Sequence, residues 1–349
     1  MEQKQDQYIE ALRGATILLV VTSHVIGIDS CGGMQVADNS GWRYIYSTLC
    51  ANYITMPIFA AIAGWIYALH PLQQPIHTFL YKKVKRLLFP LLFTGTLYFL
   101  IQYFTANTNQ TTALSDIWQI YLFPYTIFWF LPALFLIFCY IAVVDKFQVC
   151  KSLKCWVAGL LISIAFSVFA HIAAKDIPNY FCIWGAMRLL PFFFLGLGLQ
   201  RFKAQLSSFK LRRLYLIGFF GTAVLFQLLW FTFGSTHILR QYSLTLPLSF
   251  LTIAFLLTVK RRPAPPWLVF FGQSAYGIYL FHAFGTAAGR ISMNALGIQS
   301  ELPIFCIALI LGIGVPLLIE KVLHRMPLLS LLFLGQTHAP QRLKLPSKK

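Results

Sequence analysis

Apolar segments of about 20 residues recur along the chain, and each is long enough to cross the hydrocarbon core of a bilayer as an α-helix. Hydrophobic residues make up 58% of the sequence and charged residues only 11%, whereas soluble domains carry about a quarter charged residues. The pattern predicts an all-α fold, a polytopic membrane helix bundle with about ten transmembrane helices. We place them near residues 8–28, 44–69, 87–105, 126–145, 155–174, 179–200, 214–233, 241–259, 267–290 and 302–323.

The loops between these segments differ in charge from one side of the predicted membrane to the other. If the N-terminus is cytoplasmic, the cytoplasmic segments contain 22 Lys and Arg residues and the outer segments contain four. Because basic residues accumulate on the cytoplasmic side of membrane proteins, we predict that both termini are cytoplasmic. The net charge of +18 therefore reflects topology, and we expect membrane lipids but no nucleic acid as a partner.

We assign residues 1–335 to one integral membrane domain and residues 336–349 to a basic cytoplasmic tail. The tail has no apolar periodicity, so we expect it to be disordered. The seven cysteines are scattered and without CxxC spacing, which predicts neither a disulfide framework nor a metal site. The sequence also lacks a P-loop, a GxSxG elbow and an HExxH motif.

The first apolar segment, residues 8–28, contains three ionisable residues: Glu10, Arg13 and His24. Arg13 and His24 are 11 positions apart, about 20° past three full helical turns, so they share one helix face about 16 Å apart along the axis. Ionisable residues inside membrane helices usually face a protein interior or a water-filled path. With the predicted topology, Arg13 lies towards the cytoplasm and His24 towards the outer side.

Two further basic features have two interpretations each. The cluster Lys82, Lys83, Lys85 and Arg86 is predicted in the loop before the third helix, where it could anchor that helix to anionic headgroups or bind a phosphorylated cofactor. Composition alone favours the anchor. Arg188 lies near the middle of a predicted span and requires a polar partner. That partner could be Glu10 or a substrate.

Other polar or aromatic candidates lie near the predicted helix ends. Trp129 belongs to an aromatic cluster that is typical of a membrane belt. Ser274, Tyr279 and His282 place polar groups in the otherwise apolar ninth segment, although a single membrane His is often only a hydrogen-bonded packing residue.

Several of these motifs, taken in order, resemble the acyltransferase 3 family. Arg13 and His24 resemble its Arg-x10-His signature, and the lysine and arginine at 83 and 86 resemble its basic motif before the third helix. Further matching segments are Met56–Gly64, Trp129–Leu134, Pro191–Gly196 and Ser274–His282. The sequence departs from the family pattern at three positions, where Glu10 replaces Asp, Lys83 replaces Arg and Ala63 replaces Ser. The segment at 129–134 resembles the fucose O-acetylase-like branch.

The resemblance implies a multi-pass enzyme of the bacterial inner membrane that O-acylates a cell-surface glycan. It implies acetyl-CoA as a cytoplasmic acyl donor, without a metal, and a glycan acceptor. A homo-oligomer is left open. The implied site residues are His24, as general base, with Arg13 and Glu10; Lys83, Arg86 and Arg188 for the donor; and Trp129, Ser274, Tyr279 and His282 for the acceptor. Arg13, oriented by Glu10, could either hold donor phosphate or stabilise the bundle.

A different class of function is also compatible with the polar face of the first helix. A transporter or exporter of a glycan or a small anion would use the same face as a permeation path. The sequence has no clear inverted repeats or paired broken helices, which disfavours this alternative.

Overall fold

The computed structural model describes residues 2–29, 31–50, 52–70, 72–109, 113–148, 150–173, 177–233, 244–259 and 263–336. All regular elements in these ranges are helical. In chain order the α-helices are α1 (Glu2–Ile26), α2 (Gly41–Ile45), α3 (Asn52–Leu69), α4 (Ile76–Lys83), α5 (Thr96–Phe104), α6 (Gln119–Leu122), α7 (Phe130–Lys146), α8 (Leu153–Ala173), α9 (Ile183–Arg201), α10 (Lys203–Leu206), α11 (Phe209–Phe233), α12 (Thr245–Thr258), α13 (Pro266–Gln273), α14 (Ala275–Ala295), α15 (Glu301–Leu323) and α16 (Pro327–Leu334).

Within the described residues, seven helical stretches are long and apolar enough to cross a membrane. The prediction of an all-helical fold with membrane-capable helices is thereby confirmed. The seven stretches are Gln7–Ile26, Ile76–Phe104, Leu114–Lys146, Leu153–Ile172, Tyr180–Arg201, Phe209–Leu229 and Glu301–Leu323. Two shorter apolar helices, Ile54–Leu69 and Thr245–Thr258, accompany them. The count of ten spans and the cytoplasmic position of both termini stay predictions.

Two predicted boundaries are wrong. The ninth segment, 267–290, is not one helix but two, because the backbone leaves helical geometry at Ser274 (φ −96°, ψ 5°) between α13 and α14. Gly272, Gln273 and Ser274 interrupt the apolar residues here, a local signal that the apolar length of the whole segment conceals. The basic cluster at 82–86 is helical rather than a loop, since π-helical turns at Val84–Leu88 and Leu91–Gly95 join α4 to α5. Lys and Arg are good helix formers.

The central helices pack through glycines that allow their backbones to touch. A Cβ at Gly64 of α3 would overlap the carbonyl oxygen of Phe193 on α9, and a Cβ at Gly196 would overlap the carbonyl oxygen of Ala61. Small residues at such contacts are how membrane helices approach closely. Both glycines belong to motifs that resemble the family, so these motifs have a packing role.

A second glycine pair joins α1 to α13. Gly14 lies against the backbone of Leu268, and Gly272 lies against the backbone of Glu10. The reversed order of these two contacts shows that α13 runs antiparallel to α1. The Glu10 turn of the first helix is thereby fixed beside the end of α13, close to the α13–α14 break at Ser274.

The chain after α15 also belongs to the bundle. Helix α16, which the sequence analysis did not identify, packs against α14, α15 and the π-helical turns that follow α4. Thr94 Oγ1 donates to the Phe333 carbonyl at 3.1 Å. The predicted disordered tail begins at Gln336, and its residues 337–349 lie outside the described residues.

Candidate active site

Two histidine side chains, carried by α1 and α14, meet inside the bundle. The ring centroids of His24 and His282 are 4.8 Å apart and their planes are inclined by 52°. His282 is completely buried. The sequence analysis assigned these two residues to different roles, and the structure brings them into one site.

The hydrogen bonds of His282 define its tautomer. Its Nδ1 lies 2.8 Å from the Tyr279 carbonyl oxygen and 3.1 Å from the Ile278 carbonyl oxygen. Carbonyl oxygens only accept hydrogen bonds, so Nδ1 carries the proton. In a neutral ring, Nε2 is then an acceptor, and among the described residues this buried atom has no hydrogen-bond partner. A buried acceptor without a donor is costly, and Nε2 is therefore available to accept a hydrogen bond from a ligand.

His24 differs from its neighbours in exposure. Val25, Ile26 and His282 are buried, whereas the His24 side chain is exposed. The His24 ring contacts the His282 ring and is still accessible, as expected for a group that must reach a substrate.

Aromatic side chains form one wall beside the histidine pair. The Tyr279 ring lies 6.3 Å from the His282 ring and 5.8 Å from the Phe130 ring. The Tyr279 hydroxyl donates to the Ile127 carbonyl, so its proton is used within the protein. Trp129 contacts Phe130 and packs against Gly185. Two of the four predicted acceptor residues, Trp129 and Tyr279, thus lie on the His282 side of the bundle.

The other predicted catalytic residues, Arg13 and Glu10, form a separate pair. Arg13 Nη1 lies 2.8 Å from Glu10 Oε1, and the pair is three turns of α1, about 16 Å, from His24. Ser274 also belongs to this end of the site, since it precedes α14 by one residue and follows the Gly272 contact with Glu10. Ser274 is about 12 Å along the chain axis from His282, so the structure does not group them.

The predicted donor-binding residues make contacts within the protein. The Arg86 guanidinium carbon lies 3.8 Å from the centroid of the Tyr276 ring, and its Nη1 donates to the Leu334 carbonyl at 2.8 Å. The Lys83 ammonium lies 3.8 Å from the centroid of the Phe138 ring. Both are cation–π contacts. Both side chains are therefore directed onto aromatic rings of neighbouring helices.

Arg188 lies elsewhere in the bundle. Its Nη2 donates to the carbonyl oxygen of Ala170, near the end of α8, at 3.3 Å. Glu10, which the sequence analysis considered as its partner, is paired with Arg13 instead. The structure therefore does not group Arg188 with Lys83 and Arg86.

Sequence reasoning missed one buried carboxylate. Glu320 on α15 is 5% exposed, lies within electrostatic range of Arg86, and approaches His324 Nε2 at 3.5 Å. An acidic residue inside an apolar segment is the same signal that identified Arg13 and His24, so Glu320 was identifiable from the sequence. With it, the Arg13 end of the site contains two Arg and two Glu residues.

The fold and the site together define the class of protein to which the chain belongs. The chain is a multi-pass membrane protein with a contacting pair of histidines, one exposed and one buried, and a charged cluster about three helical turns away. Among the described residues, no group of three or more His, Cys, Asp or Glu side chains could hold a metal.

Comparison with known proteins identifies the family within that class. A family model described as an acyltransferase domain, that of the acyltransferase 3 family, matches residues 6–321. The chain therefore belongs to this family and is a membrane acyltransferase, which confirms the resemblance. No curated protein and no solved structure matches the chain.

Proposed function

We propose that the protein transfers an acetyl or other short acyl group from cytoplasmic acetyl-CoA to a sugar hydroxyl of a cell-surface glycan. The proposal includes a location in the bacterial inner membrane. The observation that carries it is the His24–His282 pair: one imidazole is exposed, and the other offers a buried Nε2 acceptor. Family membership supplies the reaction class.

In the proposed reaction, His24 acts as the general base. It removes the proton of the sugar hydroxyl as that oxygen attacks the thioester carbonyl. The carbon–sulfur bond then breaks, and the proton returns to the CoA thiolate as the free thiol leaves. His282 accepts a hydrogen bond through Nε2 from a bridging water, which donates its other hydrogen to the oxygen of that hydroxyl and so orients the nucleophile. No metal takes part in these steps.

The donor would approach from the end of the site that contains Arg13 and Arg86. Lys83 and Arg86 are the proposed contacts for the donor, and Glu10 holds Arg13 towards the same region. Arg86 already has ring and carbonyl partners, so we propose that it contacts the donor only through its remaining N–H groups. Ser274 lies at this end too, and Arg188 is proposed as a contact further along the bundle.

The acceptor would approach from the opposite end of α14. A cavity of about 360 Å³ lies there, lined by Gln35, Asn107, Thr108, Arg290, Ile291, Asn294 and Ala295. Amide and guanidinium groups suit the hydroxyls of a sugar. Arg290 follows His282 by two turns of the same helix, about 12 Å, and its Nη2 is held by the Asn107 carbonyl at 2.9 Å.

The proposal is tested with purified protein in nanodiscs, supplied with labelled acetyl-CoA and membrane-derived glycan precursors. We expect release of CoA and labelled glycan from the native protein, and neither from a His24→Ala variant that is inserted at normal levels. Full activity of His24→Ala would exclude it as the base. Movement of a glycan or an anion across liposomes without acyl transfer would favour the transporter alternative instead.

A further inference from the structure

A large polar cavity lies away from the histidine pair, where α4 begins and where α7 and α9 end. Its volume is about 850 Å³, within the range of small-molecule sites. Gln73, Gln74 and His77 line one side, and Lys146, Gln148 and Lys151 line another. The loops that form it carry the basic residues of the side predicted to be cytoplasmic.

The wall of this cavity contains a neutralised ion pair. Arg201 donates to both carboxylate oxygens of Asp145 at 3.2 Å and to the Cys150 carbonyl at 3.2 Å. Paired in this bidentate way, Arg201 and Asp145 fix the ends of α9 and α7 together and contribute no net charge.

The remaining cations of the cavity are uncompensated within the described part of the chain. Lys146 and Lys151 are exposed and form no ion pair there. At the rim, Lys82 Nζ donates to Gln74 Oε1 at 2.7 Å. Three ammonium groups around one cavity, with amide groups between them, form an environment suited to phosphate.

This arrangement contrasts with that of Lys83 and Arg86. Those two side chains are directed onto the rings of Phe138 and Tyr276, whereas Lys146 and Lys151 extend into accessible space. Tyr67 lies between the two regions, because it interacts with Asp145 and Arg201 and contacts the Phe79 and Phe138 rings. The cavity therefore lies next to the Phe79 and Phe138 rings, which the Lys83 ammonium contacts.

We propose that this cavity binds the phosphorylated nucleotide end of the acyl donor, with Lys146 and Lys151 as the phosphate contacts. The inference rests on the proposed function and extends it, because it assigns the donor's most highly charged part to residues outside the family-like motifs. The thioester end of the donor would then extend past the Phe79 and Phe138 rings into the bundle.

The test compares the binding of CoA and of 3′-dephospho-CoA to nanodisc-embedded protein by calorimetry, in neutral lipid. We expect a Lys146→Gln/Lys151→Gln double variant to bind CoA about tenfold or more weakly, since hydrogen bonds to charged groups are lost. Its preference for CoA over the dephosphorylated form should also fall. Lys154→Gln is the matched control, because Lys154 is equally exposed in the same segment but does not line the cavity.

Unchanged CoA affinity in a double variant that melts like the native protein would overturn the inference, even if acyl transfer from acetyl-CoA is confirmed. A native protein that neither binds CoA nor uses acetyl-CoA would instead overturn the proposed function. If the double substitution weakens retention of phosphatidylglycerol but leaves CoA affinity unchanged, the cavity is a lipid headgroup site and the inference is also wrong.

Discussion

The rings of His24 and His282 face each other across the contact between α1 and α14, with centroids 4.8 Å apart. His282 Nδ1 is held by two carbonyls of its own helix, which leaves Nε2 for a ligand. The pair thus combines a fully buried, fixed imidazole with an exposed one.

Substitution of His282 tests whether Nε2 contributes to acyl transfer. We expect His282→Asn to lower the rate of CoA release by about 10²-fold, the order of loss when a reacting group is misplaced. A Gln amide reaches the position of Nε2, whereas an Asn amide reaches that of Nδ1, so His282→Gln should retain more activity than His282→Asn. The exposed His70 provides the control, as His70→Gln should leave the rate unchanged. Native activity in His282→Asn would contradict the role.

Arg86 is expected to stabilise the protein as well as to serve the donor. Arg86→Ala removes the contact with the Tyr276 ring and the hydrogen bond to the Leu334 carbonyl. The loss should be about 1–3 kcal/mol of unfolding free energy, visible as a lower melting temperature in detergent. The comparison variant is Lys85→Ala, whose ammonium lies 4.2 Å from the ring centroid of the exposed Tyr81. Equal melting temperatures for the two variants would show that the Arg86 contacts add little.

The glycine contact between α3 and α9 should tolerate no side chain. Gly64→Ala would place a methyl group against the Phe193 carbonyl, and forcing the helices apart should cost about 1–3 kcal/mol. Gly314→Ala is the matched control, since nothing lies within 4 Å of a Cβ at that position. Thermal unfolding monitored by fluorescence-detected size exclusion measures the difference. A Gly64→Ala protein as stable as Gly314→Ala would mean that the two helices can separate without cost.

Arg290 should affect the acceptor and not the donor. Arg290→Gln removes a guanidinium from the cavity beyond His282, so we expect the KM for the glycan acceptor to rise about tenfold, equivalent to one lost hydrogen bond to a charged group. CoA affinity, measured by calorimetry, should stay at the native value. A change confined to the donor would place the acceptor elsewhere. Asn294→Ala, in the same cavity, distinguishes loss of charge from general loss of polar contacts.

The sequence by itself determined what is local to one segment. Apolar length predicted helical segments, seven of which are confirmed as long enough to span a membrane, and an 11-residue spacing placed Arg13 and His24 on one face of α1. Ordered motifs identified the family. Helical periodicity and transfer of apolar residues from water act within a segment, so both can be inferred without knowing its neighbours.

Only the tertiary structure decided which segments meet. It paired His24 with His282, directed Arg86 onto Tyr276 and α16, separated Ser274 from the histidines, and broke the ninth segment between α13 and α14. Within lipid, apolar helices gain little from burial against one another, and their pairing depends on shape, above all where glycines such as Gly64 and Gly272 let backbones touch. Such complementarity involves residues far apart in the chain, and hydropathy carries no record of it.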